Sequence, residues 1–196
     1  MTLVLITGMS GTGKSSVVQE LISRGYEAYD LDAPEWSEWI ETDPSDELTP
    51  ARGKDWVWRM DRVRALLSES EGRALFISGC AENMRQLFPL IDCVILLSAP
   101  MATLMERLRT RSCGSYGSVA DERRRVCDLI STVEPLLRES SDYEISTCGP
   151  LQATVDEILR ISGALPGVNE ILGRLRRPPE VCTRSLALSS LHRARV

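Results

Sequence analysis

The sequence has little of what several common kinds of site require. Its single histidine is His192, far along the chain from every motif described below, so histidine-based catalysis or metal binding is not expected. Its six cysteines include no C-x-x-C pair, which favours reduced thiols over a disulfide framework or a zinc site. No apolar run reaches the ~20 residues that span a membrane, and the chain opens on a strand-like segment rather than a signal peptide. We therefore expect a cytoplasmic protein with no membrane partner.

The sequence also lacks an excess of basic residues. Its 23 lysines and arginines stand against 28 aspartates and glutamates, for a formal net charge of -5, which disfavours a dedicated nucleic-acid surface. The 196 residues suffice for one α/β domain with a sizeable core. From residue 163 onward six arginines face two glutamates without clear periodicity, which predicts a basic, flexible tail over 163–196. No feature indicates an oligomeric state.

A complete Walker A motif, G-x-x-x-x-G-K-S, lies between an apolar strand-like run and a helical pattern. Glycines in such a loop let successive N–H groups converge on phosphate oxygens, and the following helix contributes its free amides. Lys14 would neutralise phosphate charge, and the Ser15 hydroxyl would ligate the accompanying Mg²⁺. The residues predicted to bind a nucleoside triphosphate are Gly8, Met9, Ser10, Gly11, Thr12, Gly13, Lys14, Ser15 and Ser16.

Strand-like apolar runs alternate with helical patterns along the chain, which is typical of a parallel sheet covered on both faces. The predicted strands are residues 3–7, 27–30, 74–78, 93–98 and 143–146. We expect helices after Pro100, over 119–139 and over 151–161. Ser118 and Asp121 resemble a capping box for the second of these helices, and Pro135 is expected to bend it or end it early.

Asp30 and Asp32 follow the second predicted strand at its carboxyl end, where ligands of open parallel sheets bind. One carboxylate there can hold Mg²⁺, and its neighbour can orient or deprotonate an acceptor hydroxyl. The alternative is that Asp30 only caps the segment that begins near Ala33 and Pro34.

These motifs resemble the shikimate kinase and nucleoside monophosphate kinase group of small P-loop kinases. Trp58-Arg59 in a predicted helix, Ile77-Ser78-Gly79 at the end of the third strand and the arginines over 107–117 contribute to the resemblance, which spans about residues 1–162. It implies an α/β, three-layer P-loop NTPase fold with a five-stranded parallel sheet, a helical acceptor-binding insertion (about 33–70) and a lid (about 111–119). It also implies ATP and Mg²⁺ as donor and cofactor, and a small-molecule acceptor.

The resemblance assigns roles residue by residue. Asp30 would hold Mg²⁺ together with Ser15, while Lys14, Asp32 and Arg111 would act in catalysis. Arg107 would lie against the adenine, which Pro150 and the preceding Thr147-Cys148-Gly149 would close over. The implied acceptor-binding residues are Asp32, Arg59 and Gly79.

The sequence departs from this group in three places. Gly79-Cys80-Ala81 replaces the triple glycine of shikimate kinases, no Walker B aspartate ends the third strand, and residues 26–51 contain no basic residue that would hold an anionic acceptor. The acceptor therefore stays open among nucleotides, sugars, cyclitols and antibiotics. A nucleoside monophosphate kinase and a non-catalytic ATP-binding regulatory module are the alternatives. A GTPase is disfavoured because no N-K-x-D or D-x-x-G motif is present.

All four tryptophans fall in the predicted insertion. Trp36 and Trp39 have the spacing of neighbours on a helix and would form a stacking wall for a ring-shaped acceptor, or would pack a small subdomain on the core. Asn83 is a further candidate acceptor ligand, with helix capping as the alternative.

Overall fold

The structure is a computed structural model that describes residues 2–70, 74–110 and 119–164. Its strands are β1 (Thr2–Thr7), β2 (Glu27–Asp30), β3 (Ser37–Glu41), β4 (Lys54–Trp58), β5 (Ala74–Ser78), β6 (Cys93–Ser98) and β7 (Tyr143–Ser146). Its α-helices are α1 (Lys14–Ser23), α2 (Met60–Glu69), α3 (Met101–Arg109), α4 (Ala120–Thr132), α5 (Glu134–Ser140) and α6 (Leu151–Ser162), and a 3₁₀ helix spans Glu82–Leu90. Among these residues no helix has the length and apolar character that a membrane crossing requires.

Five strands form one parallel sheet in the order β2-β5-β1-β6-β7. The strands predicted from the sequence agree with these five to within one residue, because strands buried on both faces read as continuous apolar runs. The hydrophobic core has two layers. One face of the sheet packs against α1 and α6, and the other packs against α2, the 3₁₀ helix, α4 and α5. The three-layer α/β fold predicted above is confirmed.

The insertion after β2 is not wholly helical, which corrects the prediction. It contains the antiparallel hairpin β3-β4 followed by the single helix α2. Trp39 lies in β3 opposite Trp56, so Trp36 and Trp39 are not neighbours on a helix. Trp58 ends β4, and Arg59 precedes the first turn of α2, so this pair is not inside a helix. The strand-forming residues Trp56, Val57 and Trp58 outweigh the helical spacing of Trp36 and Trp39.

The long helix predicted over 119–139 is two helices. The break falls at Val133, and Pro135 occupies the first turn of α5, where its missing N–H costs no hydrogen bond. Val119 precedes α4 without a side-chain cap. Ser118 of the predicted capping box, the predicted lid apart from Val119, and residues 165–196 of the predicted tail lie outside the described residues.

Candidate functional site

The Walker A loop connects β1 to α1 at the carboxyl edge of the sheet. Gly11 and Gly13 have φ values of 92° and 95°, a region that side chains disfavour. A Cβ atom on Gly8 would collide with the Leu97 carbonyl oxygen of β6, so only glycine fits there. Lys14 Nζ donates a hydrogen bond of 2.8 Å to the Gly8 carbonyl oxygen. The lysine therefore curls over the loop, where the phosphates of a nucleotide would lie.

Ser10 lies in the turn of this loop, and Thr12 is buried with its hydroxyl hydrogen-bonded to the Met9 carbonyl oxygen at 2.8 Å. Ser16 lines a cavity of about 380 Å³ that opens beside the loop. The other residues around this cavity are Gly11, Thr12, Gly13, Val17, Arg107, Thr110, Thr147, Gly149, Leu151 and Thr154. Three of these residues, Arg107, Thr147 and Gly149, are ones that the resemblance to small P-loop kinases assigns to the adenine.

Arg107 joins the two walls of this cavity. Its Nη1 atom donates to the Gly11 carbonyl oxygen at 3.2 Å and to Thr147 Oγ1 at 2.9 Å, and its Nη2 atom donates to the Thr147 carbonyl oxygen. Pro150 precedes α6 and is not itself among the lining residues, but its neighbours Gly149 and Leu151 are. The segment that begins at Thr147 thus faces the glycine loop across the cavity.

Ser15 and Asp30 form the candidate metal site. Ser15 Oγ donates a hydrogen bond of 2.5 Å to Asp30 Oδ2, and Asp30 Oδ1 accepts the backbone N–H of Asp32 at 3.2 Å. Asp30 therefore contacts the Walker A serine in addition to capping the turn that follows β2. In residues 2–70, 74–110 and 119–164, this pair included, no three His, Cys, Asp or Glu side chains form a metal-binding group.

A buried hydroxyl lies on the same side of the sheet as Asp30. Ser78 ends β5 opposite Asp30, and both side chains point to the α1 face of the sheet, as Ala28 and Phe76 of the same strands do. Ser78 is fully buried, and its Oγ atom has no hydrogen-bond partner among the described residues. A serine hydroxyl thus occupies the end of the strand where a Walker B aspartate is missing. These groups fit Mg²⁺, which uses few protein ligands and keeps waters and substrate phosphates.

Asp32 is held from two sides. Its Oδ1 atom accepts hydrogen bonds from the backbone N–H of Cys80 at 3.0 Å and from Trp58 Nε1 at 3.3 Å. Its Oδ2 atom faces Lys14 Nζ at 3.6 Å. A Cβ atom on Gly79 would lie 2.6 Å from Asp32 Oδ1, so the glycine leaves room for the carboxylate. Asp32 therefore presents one oxygen to the P-loop side and uses the other for support.

Burial raises the pKa of the Cys80 thiol to about 11. The nearby Lys14 ammonium lowers this pKa, but desolvation is the larger effect. Cys80 is therefore protonated at neutral pH and has no thiolate for nucleophilic chemistry. Its contribution to the site is its backbone N–H.

The structure places the other predicted acceptor residues away from direct contact with Asp32. Arg59 Nε donates to the Ser37 carbonyl oxygen at 3.3 Å, and its guanidinium lies 3.8 Å from Glu38. Asn83 pairs with both backbone groups of Trp58, accepting from its N–H at 3.1 Å and donating to its carbonyl oxygen at 2.8 Å. Arg59 therefore binds β3 within the insertion, whereas Asn83 fastens the hairpin to the 3₁₀ helix.

Trp36 is half-buried, and its ring packs edge-on against Tyr29 at 5.6 Å. Its Nε1 atom donates to Glu35 at 2.8 Å. A different pair, the exposed Trp39 and the partly buried Trp56, has ring centroids 5.0 Å apart. Trp36 therefore packs against Tyr29, and the ring that lies beside Trp39 is that of Trp56.

Arg125 of α4 was not singled out in the sequence. Its Nε atom donates to the Thr49 carbonyl oxygen at 2.8 Å, and its Nη2 atom donates to the Asp46 carbonyl oxygen at 3.3 Å. It therefore ties the hairpin loop to the helix that follows the predicted lid. No local sequence signal marks this contact, because 76 residues separate its two ends. Arg111 lies outside the described residues.

Fold and site together define a nucleotide-binding P-loop protein built like the small P-loop kinases of the shikimate kinase-like group. A family model described as an AAA domain matches residues 4–126, which is more than half of the chain, and the chain belongs to that family. No curated protein matches it.

Several solved structures share this fold, and two of those described next are kinases. A shikimate kinase from Acinetobacter baumannii in complex with shikimate superposes with a TM-score of 0.56 at 19% identity, over 90% of this chain and 96% of that one. A sugar kinase from Janibacter sp. HTCC2649 gives 0.51 at 18% identity, over 86% and 98%. TT1252 from Thermus thermophilus gives 0.52 at 19% identity, over 83% and 96%. At these identities the likeness establishes the fold.

Proposed function

We propose that this protein is an ATP-dependent phosphotransferase that transfers the γ-phosphoryl group of ATP to a hydroxyl group of a small metabolite. The observation that supports the proposal most directly is Asp32. Its carboxylate lies 3.6 Å from the P-loop lysine Lys14 and is oriented by Trp58 and Cys80. A P-loop protein that only held a nucleotide would not require a fixed carboxylate beside that lysine.

In the proposed reaction the glycine loop holds the triphosphate, and Lys14 leaves the Gly8 carbonyl oxygen to neutralise the phosphate charge. Asp32 Oδ2 accepts the proton of the acceptor hydroxyl, whose oxygen forms the new bond to phosphorus as the bond to the bridging oxygen breaks and ADP leaves. Ser15 and Asp30 would hold Mg²⁺, which supplies charge stabilisation on the phosphates when bound. Positioning and electrostatic stabilisation account for most of the acceleration in such reactions.

The adenine is assigned to the cavity between the glycine loop and the segment at Thr147. Arg107, which joins these two walls, would pack against the base after exchanging some of its hydrogen bonds. Arg111 of the predicted lid is proposed to add positive charge at the transferring group. The domain limits, the lid and the cytoplasmic location stay predictions.

The test is a panel of nucleosides, sugars, cyclitols and aminoglycosides, assayed for ADP release and for a mass gain of one phosphoryl group. Asp32→Asn is expected to lower transfer by about 100-fold or more while the affinity for a non-hydrolysable ATP analogue stays within about twofold. Asp156→Asn is the matched control, since Asp156 lies on α6 and pairs with Arg24. Full activity of Asp32→Asn would remove that residue from the mechanism. ATP binding without turnover of any acceptor would favour a non-catalytic ATP-binding module.

A further inference from the structure

The hairpin β3-β4 presents an aromatic surface beside the candidate catalytic carboxylate. The residues on this face are Trp39, Trp56 and Trp58, because side chains two apart along a strand share a face and Trp39 pairs with Trp56 across the hairpin. Trp58 is 2% exposed, whereas Trp39 is 50% exposed. We call the pair formed by the exposed Trp39 and the partly buried Trp56 the aromatic platform.

The platform is physically continuous with Asp32. Trp56 Nε1 donates a hydrogen bond of 2.9 Å to the Asp32 carbonyl oxygen, and Trp58 Nε1 donates to the carboxylate of the same residue. The indole of Trp56 is therefore fixed relative to the oxygen that would accept the hydroxyl proton. A molecule stacked on the platform would therefore lie beside the residue that carries this carboxylate.

The insertion that carries the platform is rich in acidic residues. Residues 33–58 contain seven acidic and two basic side chains. One of the two basic residues, Lys54, lies 3.6 Å from Glu41 within the hairpin. The two arginines that follow β4 also contact residues of the insertion. Arg59 contacts Ser37 and Glu38, and Arg62 donates to the Glu35 carbonyl oxygen at 2.7 Å.

An anionic acceptor would meet this excess of carboxylates. The three cations named above already contact other groups of the insertion, Lys14 belongs to the phosphate loop, and Arg52 is a single exposed charge against seven carboxylates. A cation would instead be attracted twice, by the carboxylates and by the negative faces of the indole rings. We propose that the acceptor is a ring-shaped hydroxyl compound that carries an ammonium group, of the amino sugar or aminocyclitol class. This inference rests on the proposed phosphoryl transfer to a hydroxyl. It goes beyond that proposal by specifying that the acceptor carries a positive charge.

The first experiment compares compounds with one skeleton and different charge. Glucosamine, N-acetylglucosamine and glucuronate form one such series, and 2-deoxystreptamine with its N-acetylated form is a second. Binding to the protein loaded with a non-hydrolysable ATP analogue is measured by calorimetry, and phosphorylation is measured separately with ATP. We expect the free amines to bind and react at least about tenfold better than their acetylated forms, and glucuronate to bind worst.

The second experiment removes the platform. Trp39→Leu is expected to weaken amine binding by about 5- to 30-fold and leave the affinity for the ATP analogue unchanged, while Trp39→Phe retains part of the binding. Tyr143→Leu is the matched control, since Tyr143 is 49% exposed in β7 at the opposite edge of the sheet. High salt should reduce the preference for the amine, since charges near a protein surface are screened.

The outcomes separate the two proposals. Equal or better binding of the acetylated or acidic compounds, or no binding of any amine at millimolar concentration, would overturn the inference about charge. Phosphorylation of a neutral or acidic acceptor in that case would leave the proposed kinase function standing. If the amines bind through Trp39 but no phosphoryl group is transferred to any of them, the charge inference holds for the ligand and the proposed kinase function fails.

Discussion

The indole nitrogen of Trp58 lies 3.3 Å from Asp32 Oδ1, so the last residue of the hairpin supports the carboxylate at the carboxyl edge of the main sheet. The hairpin is therefore part of the candidate site and not a separate surface element. Trp58 is itself held by Asn83, which pairs with both of its backbone groups. Any change that moves Trp58 should move Asp32 with it.

Gly79→Ala tests this support without substituting a charged residue. The new Cβ atom would lie 2.6 Å from Asp32 Oδ1 and 2.8 Å from Trp58 Cζ2, so one of the two side chains must shift. We expect kcat to fall about 10- to 100-fold, since small displacements of reacting groups are costly. Stability should fall by about 1–3 kcal/mol, as for other overpacked sites. Affinity for an ATP analogue should not change.

Gly25→Ala is the control for Gly79→Ala. Gly25 has a φ of 83°, and no heavy atom would approach its Cβ within 4 Å, so the substitution adds backbone strain without a collision. It should cost about 1 kcal/mol and leave kcat unchanged. Unaltered kcat in Gly79→Ala would show that Asp32 does not need its present position.

Arg107→Ala tests the nucleotide side of the site. The substitution removes the guanidinium that joins Gly11 to Thr147, and we expect the dissociation constant for an ATP analogue to rise about 10- to 100-fold, as for loss of charge-assisted hydrogen bonds. Arg107→Lys should recover little, since an ammonium lacks the planar fork. Arg109→Ala is the control, because its side chain is 69% exposed and pairs only loosely with Glu106 at 3.7 Å. Calorimetric titration would decide, and equal affinities for all variants would contradict the assignment of the cavity.

The central sheet and the phosphate loop could be predicted from the sequence because their signals are local. Each buried strand is a short apolar run, and the Walker A loop is one continuous motif. The aspartates after β2 were predicted to face the loop for the same reason, since the carboxyl end of a parallel strand defines where they lie. The structure places Asp30 against Ser15 and Asp32 near Lys14.

The hairpin could not be predicted in the same way. Trp39 pairs with Trp56, which is 17 positions away, and the intervening residues carry no tight-turn signature, so the helical spacing of Trp36 and Trp39 was misleading. The role of Asn83 and the contact of Arg125 with Thr49 are also long-range. Their partners are backbone groups, which have no signature in the sequence.

Arg125→Ala should act on the acceptor side alone. Without its hydrogen bonds to the carbonyl oxygens of Asp46 and Thr49, the hairpin loop would lose its attachment to α4. We expect a KM for the acceptor about 5- to 30-fold higher, with the affinity for the ATP analogue unchanged. Amide hydrogen exchange over residues 42–50 should accelerate even before an acceptor is known. The exposed neighbour Arg124→Ala serves as the control, and identical exchange in both variants would refute the attachment.

The ion-pair network around Arg138 predicts a pH-dependent stability. Arg138 donates to Glu134 at 2.7 Å and to Glu144 at 2.8 Å, and these hydrogen bonds hold the pKa of the Glu144 carboxyl below its usual range. A lowered pKa in the folded state stabilises the fold above the pKa of the unfolded chain, near 4.3, and this contribution is lost as the pH falls through the folded value.

Arg138→Gln should therefore lower the free energy of unfolding at pH 7 by about 1–2 kcal/mol. This estimate lies below the ~3–5 kcal/mol for fully buried pairs, because the Arg138 side chain is 45% exposed. The difference from the unmodified protein should shrink as the pH falls from the glutamate pKa of the unfolded chain, near 4.3, through the lowered pKa of Glu144, because the carboxyl then becomes protonated in both proteins. Urea denaturation at pH 7 and at pH 3.5 measures both quantities. A difference that is the same at the two pH values would mean that Arg138 acts through packing and not through its ion pairs.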